Sequence, residues 1–118
     1  MTVTELLRWQ WDGYPRYHRS RLNLLIHIIA VPLSILGSIG VVLALVLRSW
    51  TLGVASIAAV VISMALQARG HKQEQVPPEP FTGRANALSR IFFEQWVTFP
   101  RFVLSGGWRR ALRESSRG

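Results

Sequence analysis

Residues 22–47 read LNLLIHIIAVPLSILGSIGVVLALVL, 26 positions without a charged side chain. At about 1.5 Å of rise per residue, a helix of that length covers roughly 39 Å, more than the roughly 30 Å hydrocarbon core of a bilayer. Tilt or a kink at Pro32 would absorb the excess. A soluble chain of 118 residues could not bury such a helix all round. After the short connection RSWT (48–51), residues 52–68, LGVASIAAVVISMALQA, are again free of charge. This second run is near the lower length limit for a span, and Trp50 and Thr51 extend it. Its small residues Gly53, Ala55, Ser56, Ala58 and Ala59 suit close helix packing in lipid. The expected fold is an all-α membrane protein: a transmembrane helical hairpin with spans at about 22–47 and 50–68, flanked by N- and C-terminal interfacial amphipathic helices in one domain.

Outside the apolar runs the charges are unevenly placed. Fourteen Lys and Arg face six Asp and Glu, for a formal net charge of +8. Four of the basic residues precede the first run, nine follow the second, and only Arg48 lies between them. The positive-inside rule puts both termini in the cytoplasm, in a bacterial inner membrane or an ER-type membrane. Trp9, Trp11, Tyr14 and Tyr17 before the first run, and Trp50 at the turn, fit interfacial anchors. Topology thus explains the basic residues. With no helix-turn-helix or RNA-binding signature, nucleic acid is not an expected partner. A mean hydropathy of +0.22 excludes a disordered tail. The absence of cysteine excludes disulfides, thiolate metal sites and a cysteine nucleophile.

The remaining sequence divides at VPPEPFTG (76–83), where three prolines and a glycine break any helix. Residues 84–104 carry Leu88, Ile91, Phe92, Trp96 and Phe99 at helical spacing. Glu94 and Arg101 argue against a third span, which leaves an interfacial helix bent at Pro100 or one packed on the hairpin. Residues 109–118 are expected to be a frayed basic tail.

The chain has three histidines, His18, His27 and His71, and the hairpin brings all three to the same membrane face. An ionisable group inside a span, as His27 is, is costly and by default functional. Asn23 and His27 share a helix face. Gln67, His71 and Glu74 form one stripe if the helix runs through Gly70. His18 and His27, nine residues apart, would face opposite ways on one continuous helix. Either the helix begins after His18 with Ser20 as N-cap, or the two do not share a site. Imidazoles with a carboxylate suit Fe(II), Zn(II) or another first-row ion, and spacing alone does not choose among them. A structural polar cluster holding the helices together is the other reading of the same residues. No GxSxG serine or phosphate-binding glycine loop is present.

Taken together, YHRSRLNLLIHIIAVP (17–32) and QARGHKQEQVPPEPF (67–81) resemble the small membrane proteins related to the fungal 2-hydroxy fatty acid dioxygenase. The resemblance rests on Tyr17, His18, Asn23, His27 and Pro32, then Gln67, Gly70, His71, Glu74 and Pro78. It implies an Fe(II)-dependent enzyme that shortens a 2-hydroxy fatty acid by one carbon, with O2 as co-substrate. It also implies His18, His27 and His71 as metal ligands, Glu74 as a fourth ligand or a base, and Asn23 and Gln67 as residues that orient ligands or bound water. The partners expected are the lipid bilayer and the hydroxy acid, with a homo-oligomer left open. Two other classes stay in view: a non-catalytic membrane scaffold with structural histidines, and a zinc-dependent lipid hydrolase.

Overall fold

The computed structural model describes residues 1–115, which form helices joined by short turns and one proline-rich segment. Helix α1 spans Val3–Gly13 and starts at a reciprocal cap. The Thr2 hydroxyl accepts from the Glu5 N–H, and the Glu5 carboxylate accepts from the Thr2 N–H, each at 3.1 Å. Pro15, at the start of a 3-10 turn over Tyr14–Tyr17, ends it. Ser20 is extended and its hydroxyl accepts from the Asn23 N–H, so the next helix, α2 (Arg21–Leu47), begins after His18. That break answers the nine-residue problem, because His18 belongs to the turn and is not bound to the α2 periodicity.

Helix α2 continues through Pro32 to Leu47. Arg48, in the left-handed conformation at φ 52°, and Ser49, whose hydroxyl caps Leu52 N–H at 3.1 Å, form a two-residue reversal. Helix α3 (Trp50–His71) therefore starts inside the expected connection and carries the second apolar run on to His71. Both α2 and α3 are long and apolar enough to cross a membrane.

The two helices pack antiparallel, and small residues set their separation. A Cβ on Gly37 would lie 2.8 Å from Val60 Cγ2 and 2.9 Å from the Ser56 carbonyl. One on Gly40 would strike the Ser56 side chain, and one on Gly70 the Asn23 side chain. Between these points the Ser63 hydroxyl donates to the Ala30 carbonyl. The faces turned inward carry Asn23, His27, Ser34, Ser56, Ser63 and Gln67, all buried. The faces turned outward carry Leu36, Leu45, Val54 and Val61, each more than 60% exposed. Polar and small inside, large and apolar outside, is the reverse of a water-soluble helix pair.

Residues 84–104 are helical throughout, as expected, but are widened once within the run. They fold as α4 (Arg84–Phe93), a π turn (Glu94–Thr98) and α5 (Phe99–Leu104), which pack against α1 and α2. Pro100 supplies a physical reason for the widened turn. It has no N–H, and its ring opposes the carbonyl four residues back, so the i→i+5 bond from Phe99 N–H to the Glu94 carbonyl takes over. Phe99 and Phe102 join Tyr14, Leu24 and Val31 in the apolar core. Residues 109–114 of the expected frayed tail belong instead to α6 (Gly107–Glu114), and 116–118 lie outside the described residues. Gly106, at φ 84°, turns the chain back, and the Trp108 indole N–H donates to the Leu24 carbonyl at 2.9 Å.

Candidate metal centre

The end of the helix pair away from the Arg48 turn is where the imidazoles meet. His18 leaves the 3-10 turn with Nδ1 2.8 Å from the Tyr14 carbonyl, and His27 has Nδ1 3.0 Å from the Asn23 carbonyl. A carbonyl only accepts, so in both rings Nδ1 carries a proton, and in the neutral ring the lone pair is on Nε2. Both Nε2 atoms are buried without a hydrogen-bond partner, as is Nδ1 of His71 at the end of α3. The three ring centroids lie 4.9–5.0 Å apart and the planes are nearly perpendicular in every pair, 78–88°. The rings do not stack; each turns an edge toward a shared space.

The carboxylate facing that space is Glu94, the first residue of the π turn. Its Oε2 is 3.4 Å from His18 Nε2 and 3.7 Å from His27 Nε2. Burial pushes the Glu94 carboxyl upward. His18 and His27, where they carry a proton toward it, outweigh that and hold it well below the usual carboxylate range, so it is ionised. The Tyr14 hydroxyl donates to Oε2 at 2.8 Å. Burial, then the Glu94 charge and this hydrogen bond, push the phenol well above its usual range and keep it a donor.

One ligand atom from each of His18, His27, His71 and Glu94 lies within 4.8 Å of the other three. Two donors on one first-row ion, at ~2.1 Å each, sit at most ~4.2 Å apart, so closing the set requires side-chain shifts below ~1 Å. Three imidazole nitrogens without hydrogen-bond partners converge beside an anionic oxygen. A divalent cation satisfies all of them, and the donor set fits one.

The neighbouring buried amides hold the π turn in place. Gln95 and Gln67 exchange reciprocal hydrogen bonds at 2.7 and 2.8 Å. The Ser34 hydroxyl donates to Gln95 Oε1 at 2.6 Å, and Gln67 donates to Ser63 at 3.0 Å. This chain fixes the residue next to Glu94 against both α2 and α3.

Three of the residues singled out in the sequence, His18, His27 and His71, come together here. Asn23 adjoins them through its carbonyl, which accepts from His27. Gln67 does not hydrogen-bond to the imidazoles; it pairs with Gln95. Glu74 lies outside the four-donor set. Its carboxylate accepts from the backbone N–H groups of Arg19 and Ser20 at 2.9–3.1 Å and from Asn23 Nδ2 at 2.7 Å. It is the anion at the N-terminus of α2, where the helix dipole favours it. The carboxylate that meets the imidazoles, Glu94, is 76 positions after His18 in the chain. The available signal was a lone acid within the apolar run IFFEQWV (91–97).

A cavity of about 980 Å³ reaches the cluster and is lined by His18, His71 and Glu94. Its apolar walls include Trp9, Met64, Ala68, Phe81 and Ile91, and its cations are Arg16, Lys72 and Arg90. Arg90 holds the proline segment over it. The guanidinium donates to the Glu79 and Pro80 carbonyls and lies 4.4 Å from the Phe81 ring centroid and 4.9 Å from that of Trp9. A smaller cavity of about 430 Å³ also touches His18, with Arg19 and Arg110 in its wall. Comparison with protein-family models, with curated proteins and with solved structures gives no match for this chain.

Proposed function

We propose that the chain is a membrane-embedded Fe(II)-dependent dioxygenase that shortens 2-hydroxy fatty acids by one carbon. The observation that carries this reading is the convergence of His18, His27, His71 and Glu94, with one ring nitrogen of each histidine buried and unpartnered, at the end of an apolar-walled cavity. Three neutral nitrogens and one carboxylate suit iron(II), with zinc(II) the alternative. In this reading α2 and α3 cross the bilayer as a hairpin with both termini on the cytoplasmic side. The segment from α4 to α6 lies at the interface, packed on the hairpin. The outward leucines and valines and the basic residues at the ends support that arrangement.

The residues divide the work. His18, His27, His71 and Glu94 would hold the metal. Iron(II), when bound, would supply activation of O2 and a point of attachment for the acid head. Met64, Ala68, Ile91 and Phe81 would receive the acyl chain at the lipid boundary, while Arg16 and Lys72 attract the carboxylate. The overall reaction balances without a reductant. A 2-hydroxy acid and O2 give the acid one carbon shorter, CO2 and water; the acid loses four electrons and O2 gains four.

The test is anaerobic loading with Fe(II), followed by 2-hydroxypalmitate and O2 in detergent or nanodiscs. The expected result is pentadecanoate and CO2 formed mole for mole with O2 consumed. Iron-loaded protein that consumes no O2 would overturn the reading. Turnover of lipid esters by zinc-loaded protein would replace it with the hydrolase.

A further inference from the structure

Tyr14 touches the candidate centre three times. Its carbonyl accepts from His18 Nδ1 at 2.8 Å, its ring stacks on the His18 ring at 3.8 Å and 14°, and its hydroxyl donates to Glu94 Oε2 at 2.8 Å. It is itself held in place. Tyr14 is 3% exposed and packs edge-on against Phe102 at 5.0 Å and tilted against Phe99 at 6.4 Å. The oxygen it binds is also the one that faces His18 Nε2 and His27 Nε2.

We propose that Tyr14 is a positioning residue that confines Glu94 to ligation through Oε2 alone, and so sets the coordination number and affinity of the centre. The inference rests on the reading of this cluster as a metal site. A carboxylate oxygen offers two in-plane lone pairs. The phenol takes one at Oε2 and leaves the other toward the imidazole nitrogens. Turning the carboxylate so that Oε1 also faces the ion would pull Oε2 away from a hydroxyl whose ring cannot follow it. One residue thereby couples two ligands, the ring of His18 and the oxygen of Glu94. Such supporting hydrogen bonds tune metal sites by large factors. Neither spacing nor residue type sets Tyr14 apart from the other aromatic residues of the N-terminal segment.

The test is anaerobic Co(II) titration of the full chain in detergent, comparing wild type with Tyr14→Phe. The substitution keeps the ring, and so the stacking and the core packing, and removes only the hydroxyl. The wild type is expected to bind one Co(II) per chain. Tyr14→Phe is expected to bind 10- to 100-fold more weakly, with weaker visible d–d absorption as the carboxylate becomes bidentate and the coordination number rises. Equal affinity and an equal spectrum would overturn the proposal. So would weaker binding with an unchanged spectrum at saturation, which would report a looser fold and not an altered carboxylate. Absence of Co(II) binding by the wild type would overturn the metal reading, and the proposal with it.

Discussion

Glu74 and Glu94 both attach to the polypeptide around the histidines, but they do opposite work. Glu74 has its oxygens occupied by two backbone N–H groups and the Asn23 amide, while Glu94 turns Oε2 toward bare imidazole nitrogens. Glu74→Gln should therefore leave metal stoichiometry intact and cost about 1–3 kcal/mol of stability through weakened charged hydrogen bonds at the start of α2. Glu94→Gln should lose the metal with little change in the melting temperature of the metal-free protein. Metal analysis beside thermal unfolding of both variants separates the two roles. The histidines differ in a similar way. The buried, unpartnered nitrogen is Nε2 in His18 and His27 and Nδ1 in His71. Long-range 15N NMR of zinc-loaded protein should show two Nε2-bound rings and one Nδ1-bound ring; three Nε2-bound rings would contradict the geometry. At this scale the sequence made the histidines legible because the chemistry of imidazole is rare and costly in an apolar run. The carboxylate was not legible. Local spacing ranks Glu74 beside His71, and nothing local reveals that its oxygens are filled by the N–H groups of Arg19 and Ser20.

Two elements control whether the donors meet. One is the π turn at Glu94–Thr98, with Pro100 just beyond it and the Gln95–Gln67 pair locking it. Pro100→Ala restores an N–H and removes the steric reason for the wide turn. It should preserve or raise the melting temperature while weakening metal binding, read by titration, because Glu94 shifts on its turn. The other is the close approach of α2 and α3. Gly40→Leu places a side chain where Ser56 sits and should destabilise the pair by about 1–3 kcal/mol, measured by unfolding in detergent. The two long apolar helices and the Ser20 cap could be read from charge-free runs and helix periodicity. The division of 84–104 could not, since Pro100 predicts a bend but not its form. The amide pair that locks the π turn joins residues 28 apart in the chain, beyond the reach of any local pattern.

At the scale of the whole molecule, polar and small residues line the inside of the helix pair, and leucine, isoleucine and valine cover the outside. That inversion makes sense in lipid, where packing and hydrogen bonds hold helices together without a hydrophobic drive. A reporter fused after the last residue should report the cytoplasmic side, and a signal from the opposite side would break the two-span topology. The end of the helix pair was legible as the common location of the histidines because two antiparallel helices return the chain to one end. The aromatic core of Tyr14, Phe99 and Phe102 that supports it was not, because it unites segments 85 residues apart whose separate patterns read only as interfacial. The measurement that reaches the centre most directly is metal content after anaerobic purification in mild detergent and Fe(II) loading, for wild type, His27→Ala and Glu94→Gln. One iron per chain in the wild type, lost in both variants, is the predicted result. A wild type that takes up no metal, with variants that only unfold more easily, would make the cluster a structural polar knot and contradict the metal centre.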